Sequence, residues 1–352
     1  MTFEEARAQF PVFERFAYLN AGTNGPLARQ AVEAIEQWAR RDLEHGRGGK
    51  PYFDEVLELR ERAREALAGV LHVPPENLAL TSSTTNACNL VLAGLDLGPD
   101  DEIVTTDAEH FGLLGALGAS PARVRVAEAA PEAILERVTP RTRLIAISHV
   151  SWMTGNSLRP EELRRGTDLP VLVDGAQSAG VIEIAAAEFD FYTVSAQKWL
   201  CGPDSTGALY VRDPERLRIA FPTYMSQDDY EPSGAFTPRA GANRFDSVWF
   251  APGTLAAVNA ALEAAPDWRF ERVRAAAARC RELLAERGLE VVTAPGQGGL
   301  VSFRPDADAS ELASQLYERG VIVRDIPGRG WLRVSCGWWT SDGDLERLVE
   351  GL

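Results

Sequence analysis

Val171-Leu172-Val173-Asp174-Gly175-Ala176-Gln177 is followed, after a helical or loop stretch, by Phe191-Tyr192-Thr193-Val194-Ser195-Ala196-Gln197-Lys198. Each begins as a short, largely apolar run and ends on polar residues. Neither run alternates cleanly between apolar and polar, the pattern of a strand covered on both faces. Leu78–Thr81, Ile103–Thr106, Val124–Val126, Leu144–Ser148 and Gly207–Val211 are written the same way. Helix-like segments separate several of these runs. Residues 78–211 are therefore expected to form βαβ units around a mostly parallel, seven-stranded sheet flanked by helices, an α/β fold. Ligands of such sheets gather beyond the carboxyl ends of the strands.

Outward from this block, Ala28–Glu44 and Phe53–Leu71 have helical patterns, and Arg212–Asp246 reads as largely irregular. Beyond Gly253 helices return at Leu255–Ala264 and Arg269–Arg287. Short strands (Gly299–Phe303, Val321–Val323, Trp331–Ser335) then alternate with helices at Ala309–Arg319 and Asp342–Leu352. The expected division is a large domain over 20–250 and a smaller α+β domain over 251–352, with residues 1–19 packing on the latter.

Composition narrows the function. The net charge is −15 with no basic run, which disfavours nucleic-acid binding. No signal-type or bilayer-spanning apolar stretch is present, so the expected location is the cytoplasm, away from membranes. Cys88, Cys201, Cys280 and Cys336 show no paired spacing, and the histidines are equally dispersed; neither a disulfide framework nor a metal site is indicated. Only two of the 36 basic residues are lysines, Lys50 and Lys198. Lys50 lies in a Gly/Pro-bounded loop, whereas Lys198 follows a strand. An arginine-rich chain that keeps a lysine there suggests a need for an amine that can deprotonate, which arginine cannot do.

Four features fall at strand ends. Thr81-Ser82-Ser83-Thr84-Thr85-Asn86 lies between a strand and a helix, where free N–H groups and hydroxyls can hold a phosphate or simply cap the helix. Asp174 closes an apolar strand, where a carboxylate is costly unless paired, and could hold a pyridinium nitrogen protonated. Gln177 is within reach of the same ring. Lys198 follows the next strand, and His110 in Asp107-Ala108-Glu109-His110-Phe111 offers a flat imidazole for stacking or acid–base work.

In this order the motifs resemble the fold-type I pyridoxal-phosphate (PLP) enzymes, and more narrowly the class V aminotransferase family of cysteine desulfurases, selenocysteine lyases, isopenicillin N epimerase-like enzymes and kynureninases. The resemblance runs from Tyr18–Asn24 through Thr84-Thr85, Glu109-His110, Asp174-x-x-Gln177 and Ser195-x-x-Lys198 to Leu332-Arg333-Val334-Ser335. It implies that Lys198 carries the cofactor as a Schiff base and shuttles protons. By the same likeness Asp174 pairs with the pyridine nitrogen, Gln177 contacts the ring hydroxyl and His110 stacks on the ring. Thr84, Thr85 and Ser195 hold the phosphate, with Gln197 a further polar contact where many relatives have His. Arg333 grips the substrate carboxylate, a bidentate task suited to guanidinium. Asn24 and Trp152 are candidate substrate contacts; Trp152 stands where the desulfurase branch has Asn.

Two departures matter. The family's Arg-Phe-Glu-x-Gly-Thr stretch has two placements, Arg244-Phe245-Asp246 and Phe250-Ala251-Pro252-Gly253-Thr254. The second keeps Gly-Thr ahead of a helix and makes Thr254 the residue that reaches the partner's phosphate in a homodimer. The loop Val323–Trp331 has no cysteine, which disfavours a persulfide-forming desulfurase. The first expectation for the reaction is a C–S lyase acting by β-elimination on an amino acid. Transamination or epimerisation on the same scaffold is the alternative, and a non-catalytic binding role ranks lower.

Overall fold

The buried runs assemble into one sheet in the order Leu78–Thr81, Gly207–Val211, Phe191–Ser195, Val171–Asp174, Thr142–Ser148, Glu102–Thr106 and Arg123–Ala127. The computed structural model describes residues 1–352. Gly207–Val211 runs antiparallel to both neighbours, and the other strands are parallel to one another.

Period-2 alternation distributes the side chains between two cores. Val171 and Val173 enter one with Tyr192 and Val194, while Leu172 and Phe191 enter the other. Helices Lys50–Leu71 and Pro252–Glu263 cover the first face through Leu67, Leu255 and Val258. Helices Thr84–Gly94 and Phe111–Ala119 cover the second through Val91 and Leu113. Each fully buried Val or Leu contributes about 2 kcal/mol. The two-sided cover explains why the runs lack alternating polarity.

A separate antiparallel sheet follows, in the order Glu290–Val291, Leu300–Arg304, Trp331–Ser335 and Arg324–Ile326. Helices Arg269–Glu286, Ala309–Glu318 and Asp342–Gly351 share its core. The N-terminal segment attaches here: Ala17–Tyr18 pairs in parallel with Val321–Ile322, and Arg7 meets Asp344 at 2.8 Å.

The packing changes at a different point from the expected 250/251 division. Helix Pro252–Glu263 lies against Arg29–His45 and Lys50–Leu71 and contributes to the large core. Its Ala257 and Ala261 meet Ala31, small residues that permit close approach. The change of core therefore comes after Glu263. Within the stretch expected to be irregular, Gln227–Tyr230 and Phe236–Pro238 form an antiparallel hairpin. Most of its residues are exposed, so no buried apolar pattern marks it in the sequence. No helix is long and apolar enough to cross a membrane.

Candidate active site

Carboxyl ends of neighbouring strands deliver the functional side chains to one place. Thr84 and Thr85 follow Leu78–Thr81, His110 follows Glu102–Thr106, and Trp152 follows Thr142–Ser148. Gln177 follows Val171–Asp174, and Lys198 follows Phe191–Ser195. All of them, with Asp174, Ser195 and Gln197, line a cavity of about 190 Å³. A second cavity of about 200 Å³ shares His110, Trp152, Gln177 and Lys198 and adds Thr23, Arg324 and Arg333. The large sheet thus supplies an inner chamber, while the N-terminal segment and the small sheet complete an outer one.

Asp174 is buried in the inner chamber. Its Oδ1 accepts the Ala176 N–H at 2.9 Å and the Thr193 hydroxyl at 3.4 Å; Oδ2 receives no hydrogen bond from the chain. A buried acceptor left in this state is stabilised when a ligand brings a donor to it. Nearby is a second buried carboxyl, Glu109, which the sequence marks only as the neighbour of His110. Its Oε1 accepts the Thr106 hydroxyl at 2.6 Å, and its Oε2 accepts the Ser148 N–H at 2.9 Å and hydroxyl at 2.5 Å. Burial nevertheless pushes Glu109 up to about 7, and the charge of Asp174 adds to the rise.

The Lys198 amine has no hydrogen-bond partner in the chain. Burial drives it down to about 8, opposed by Asp174 and reinforced by Arg333. Its backbone is clamped by the N-terminal segment: the Gly25 N–H donates to the Gln197 carbonyl at 2.7 Å. A Cβ on Gly25 would stand 1.9 Å from the Lys198 carbonyl oxygen, so this close approach requires glycine.

His110 caps helix Phe111–Ala119, its Nδ1 accepting the Gly112 N–H at 3.0 Å. That bond assigns the neutral ring's proton to Nε2. Partial burial, then the nearby Lys198, lowers the pKa of the imidazole, which favours this neutral form. Trp152 meets the ring edge-on, with centroids 5.1 Å apart and an 84° interplanar angle. The Gln177 amide is oriented by two bonds, Nε2 to the Gly22 carbonyl at 2.8 Å and Oε1 from the Trp199 indole at 3.0 Å. One of its N–H donors remains free.

At the helix Thr84–Gly94, the Ser83 hydroxyl caps the Asn86 N–H at 3.1 Å. The N–H groups and hydroxyls of Thr84 and Thr85 have no partner within the chain, an anion-binding arrangement at a helix N-terminus. Ser195 donates to Gln197 Oε1 at 2.7 Å, which ties these two side chains together on the cavity wall.

Arg333 is 2% exposed, yet no carboxylate pairs with it. It donates to the Trp152 carbonyl at 2.8 Å and to Thr23 Oγ1 at 3.3 Å, and its Nε is buried without an acceptor. Burial, with Arg324 adding repulsion, pulls it down to about 10. Such a group is a ready acid receptor.

Two of the anticipated residues lie elsewhere. Asn24 is exposed and lines neither cavity; its carbonyl accepts the Tyr18 hydroxyl at 3.0 Å, and the adjacent Thr23 takes the pocket position. Thr254, in the first turn of Pro252–Glu263, also lines neither cavity of its own chain. The cysteines are all buried, and Cys336 sits beside Cys280 in the small-domain core.

A family model described as aminotransferase class-V matches residues 17–331. The isopenicillin N epimerase of Streptomyces clavuligerus is 31% identical, covering 99% of this chain and 97% of its own. Cysteine desulfurase CsdA of Escherichia coli is 26% identical, covering 98% and 96%. The cystine C-S lyase C-DES, solved with its reaction product cysteine persulfide, is similar at a TM-score of 0.89 and 27% identity, over 97% of this chain and 98% of that one. A C-DES mutant with glycine covalently linked to its PLP cofactor gives a TM-score of 0.91 at 27% identity, over 98% of both chains.

Proposed function

This chain belongs to the class-V aminotransferase family and is a PLP-dependent enzyme; we propose that it epimerises an amino acid at Cα. The observation that carries an amino-acid substrate is Arg333, a buried guanidinium without an acid, in the same cavity as the unpartnered Lys198 amine. Full-length likeness to isopenicillin N epimerase supports epimerisation as the outcome. It moves ahead of the C–S lyase reaction that the sequence placed first.

The residues present fit the cofactor. Asp174 Oδ2 is an unspent acceptor for a pyridinium N–H, Gln177 has a free N–H for a ring oxygen, and Thr84 and Thr85 offer unpaired donors for a phosphate. When bound, PLP supplies an electron sink for negative charge at Cα. Lys198, with its pKa brought down to about 8, is partly neutral near pH 7 and takes the Cα proton at Nζ. His110 presents a ring face and an Nε2–H, a stacking partner and a donor. Arg333 fixes the carboxylate and so the direction of the Cα–H bond. Epimerisation then requires proton return to the face opposite Lys198.

Elimination of sulfur from a sulfur amino acid is the second reading, favoured by the likeness to C-DES and by the lack of cysteine in Val323–Trp331. The working unit we propose is a homodimer in which Thr254 serves the partner's phosphate site; that Thr254 lines neither cavity of its own chain supports this. A cytoplasmic location is part of the same proposal.

The test is to incubate the holoenzyme with a panel of L-amino acids, including sulfur-bearing ones, in deuterated water. Enantiomer carrying deuterium at Cα, without thiol or keto acid, is the expected product. Thiol release with 2-oxo acid would replace epimerisation by elimination.

A further inference from the structure

A third cavity lies in the small domain. On helix Arg269–Glu286, Arg274, Ala277, Ala278, Arg281 and Ala285 fall on one face, because helical neighbours recur every three or four residues. That face borders a cavity of about 370 Å³, a size typical of small-molecule pockets. The loop 293–298 and the strand residues Leu300 and Val301 supply the rest of the lining. Alanines on the helix and Pro295, Gly296 and Gly298 on the loop are too small to fill the space between them. The cavity shares no residue with the two chambers that hold Lys198.

Its polar groups are unspent. Arg281 is half-buried, and its Nη1 is shut off from solvent with no acceptor in the chain. A cationic donor left in that state is costly until an anion reaches it. Gly298 is buried, and its N–H has no acceptor in the chain either. The acids nearby are engaged elsewhere: Glu282 accepts from Arg279 at 3.3 Å, and the exposed Arg274 faces Glu183 at 3.8 Å. One free guanidinium with an acid at the rim suits a monoanion better than a phosphate dianion. The alanines, Leu300 and Val301 suit an apolar body, and the lining offers an ammonium group no free carboxylate.

We infer that this cavity is a second, non-catalytic site for a monocarboxylate with a compact apolar body, held by Arg281 and acting on the active site from outside it. The link is the loop that forms one wall. The Thr293 hydroxyl donates to the Thr154 carbonyl, the Ala294 N–H donates to Asn156 Oδ1 at 2.8 Å, and the Ser157 N–H donates to Gln297 Oε1 at 2.8 Å. Ser302, between the cavity strand and the same turn, donates to the Met153 carbonyl at 2.6 Å. These bonds hold the turn 151–157, which carries Trp152 into both active-site chambers. A ligand that packs the wall braces this turn.

The test is hydrogen–deuterium exchange of the holoenzyme titrated with 4-methylpentanoate, with 4-methylpentan-1-ol as the uncharged control. The acid, and not the alcohol, should slow exchange in peptides covering 277–285 and 293–301. Arg281→Gln should weaken that response roughly tenfold in concentration, on the order of one charge-assisted contact, while Arg281→Lys keeps part of it. Ala278→Leu, at an exposed position, keeps the charge but fills the space, and should weaken it as well. No slowing in the wild type overturns the inference, as does an equal response to the alcohol or an undiminished one in Arg281→Gln. An undiminished response in Ala278→Leu also overturns it, because the acid would then be paired with Arg281 outside the cavity. Acid bound at Arg333 also slows exchange in 151–157, so the comparison between wild type and Arg281→Gln isolates the contribution of the second site. Slowing there that is smaller in Arg281→Gln supports the action on the active site, and equal slowing in both overturns that part.

Discussion

Arg324 and Arg333 stand directly opposite each other on adjacent antiparallel strands, with no carboxylate paired to either. Like charges directly opposite each other on a strand pair repel. Replacing Arg324 with Gln should therefore stabilise the ligand-free protein by about 0.5–1 kcal/mol, the range of a cross-strand charge pair. Thermal unfolding at low salt measures this, and the gain should shrink as salt screens the repulsion. Equal or lower stability of the variant would mean that the pair is already compensated.

Arg333→Lys keeps a charge but loses the planar fork and its bonds to Trp152 and Thr23. The expected result is a KM for amino-acid substrate raised roughly tenfold to a hundredfold, with kcat changed less. Steady-state kinetics on a substrate found in the deuterium screen reads the split. A selective loss of kcat would move Arg333 from binding to chemistry.

Glu109 gives a pH signature. Its folded pKa of about 7 lies above the ordinary 4.5, so the native state holds an extra proton between those values. The contribution is whole below about pH 4.5 and is lost as pH rises through about 7, on the order of 3 kcal/mol in all. Glu109→Gln keeps the shape without the titration. Relative to wild type, the variant should gain stability between pH 5 and pH 8 in denaturant unfolding; parallel curves would show that Glu109 does not titrate there.

Much of the cavity lining was legible because five of the seven large-sheet strands end on a polar residue after a largely apolar, buried run. Asp174 after Val171–Val173 and Lys198 after Phe191–Ser195 are the clearest cases, and the cavity contains both. The place of Arg324 in the outer cavity was not legible, because it depends on a pairing register between a three-residue strand and Trp331–Ser335 across Pro327–Gly330. Within Tyr18–Asn24 the pattern could not say which polar side chain turns inward. The turn at Gly22, whose N–H bonds the Ser335 hydroxyl at 3.1 Å, puts Thr23 inside and Asn24 outside. Glu109 was similarly hidden: the sequence shows an exposed-type residue beside His110, and only the folded strands bring Thr106 and Ser148 to its carboxyl. Helix Pro252–Glu263 follows the large-sheet block in sequence, and its packing partners lie far upstream.

The lowered pKa of Lys198 predicts how apoprotein takes up cofactor. Attack on the PLP aldehyde needs the free amine, so the observed rate should rise with pH and level off above about 8 rather than near the ordinary 10.5. Stopped-flow absorbance over pH 6–10 follows this. A rate still climbing at the top of that range would mean that the amine is not desolvated as the fold implies.

The most direct measurement uses the scarcity of lysine. Lys50 is exposed and pairs with Asp54 at 2.6 Å, while Lys198 lies in the cavity with Asp174. Borohydride reduction of the holoenzyme, proteolysis and mass spectrometry will locate the reduced phosphopyridoxyl group. The account predicts one adduct per chain, on the peptide containing Lys198, and none at that position in Lys198→Ala. An adduct on Lys50 alone, or no adduct on either lysine of PLP-saturated protein, would contradict it.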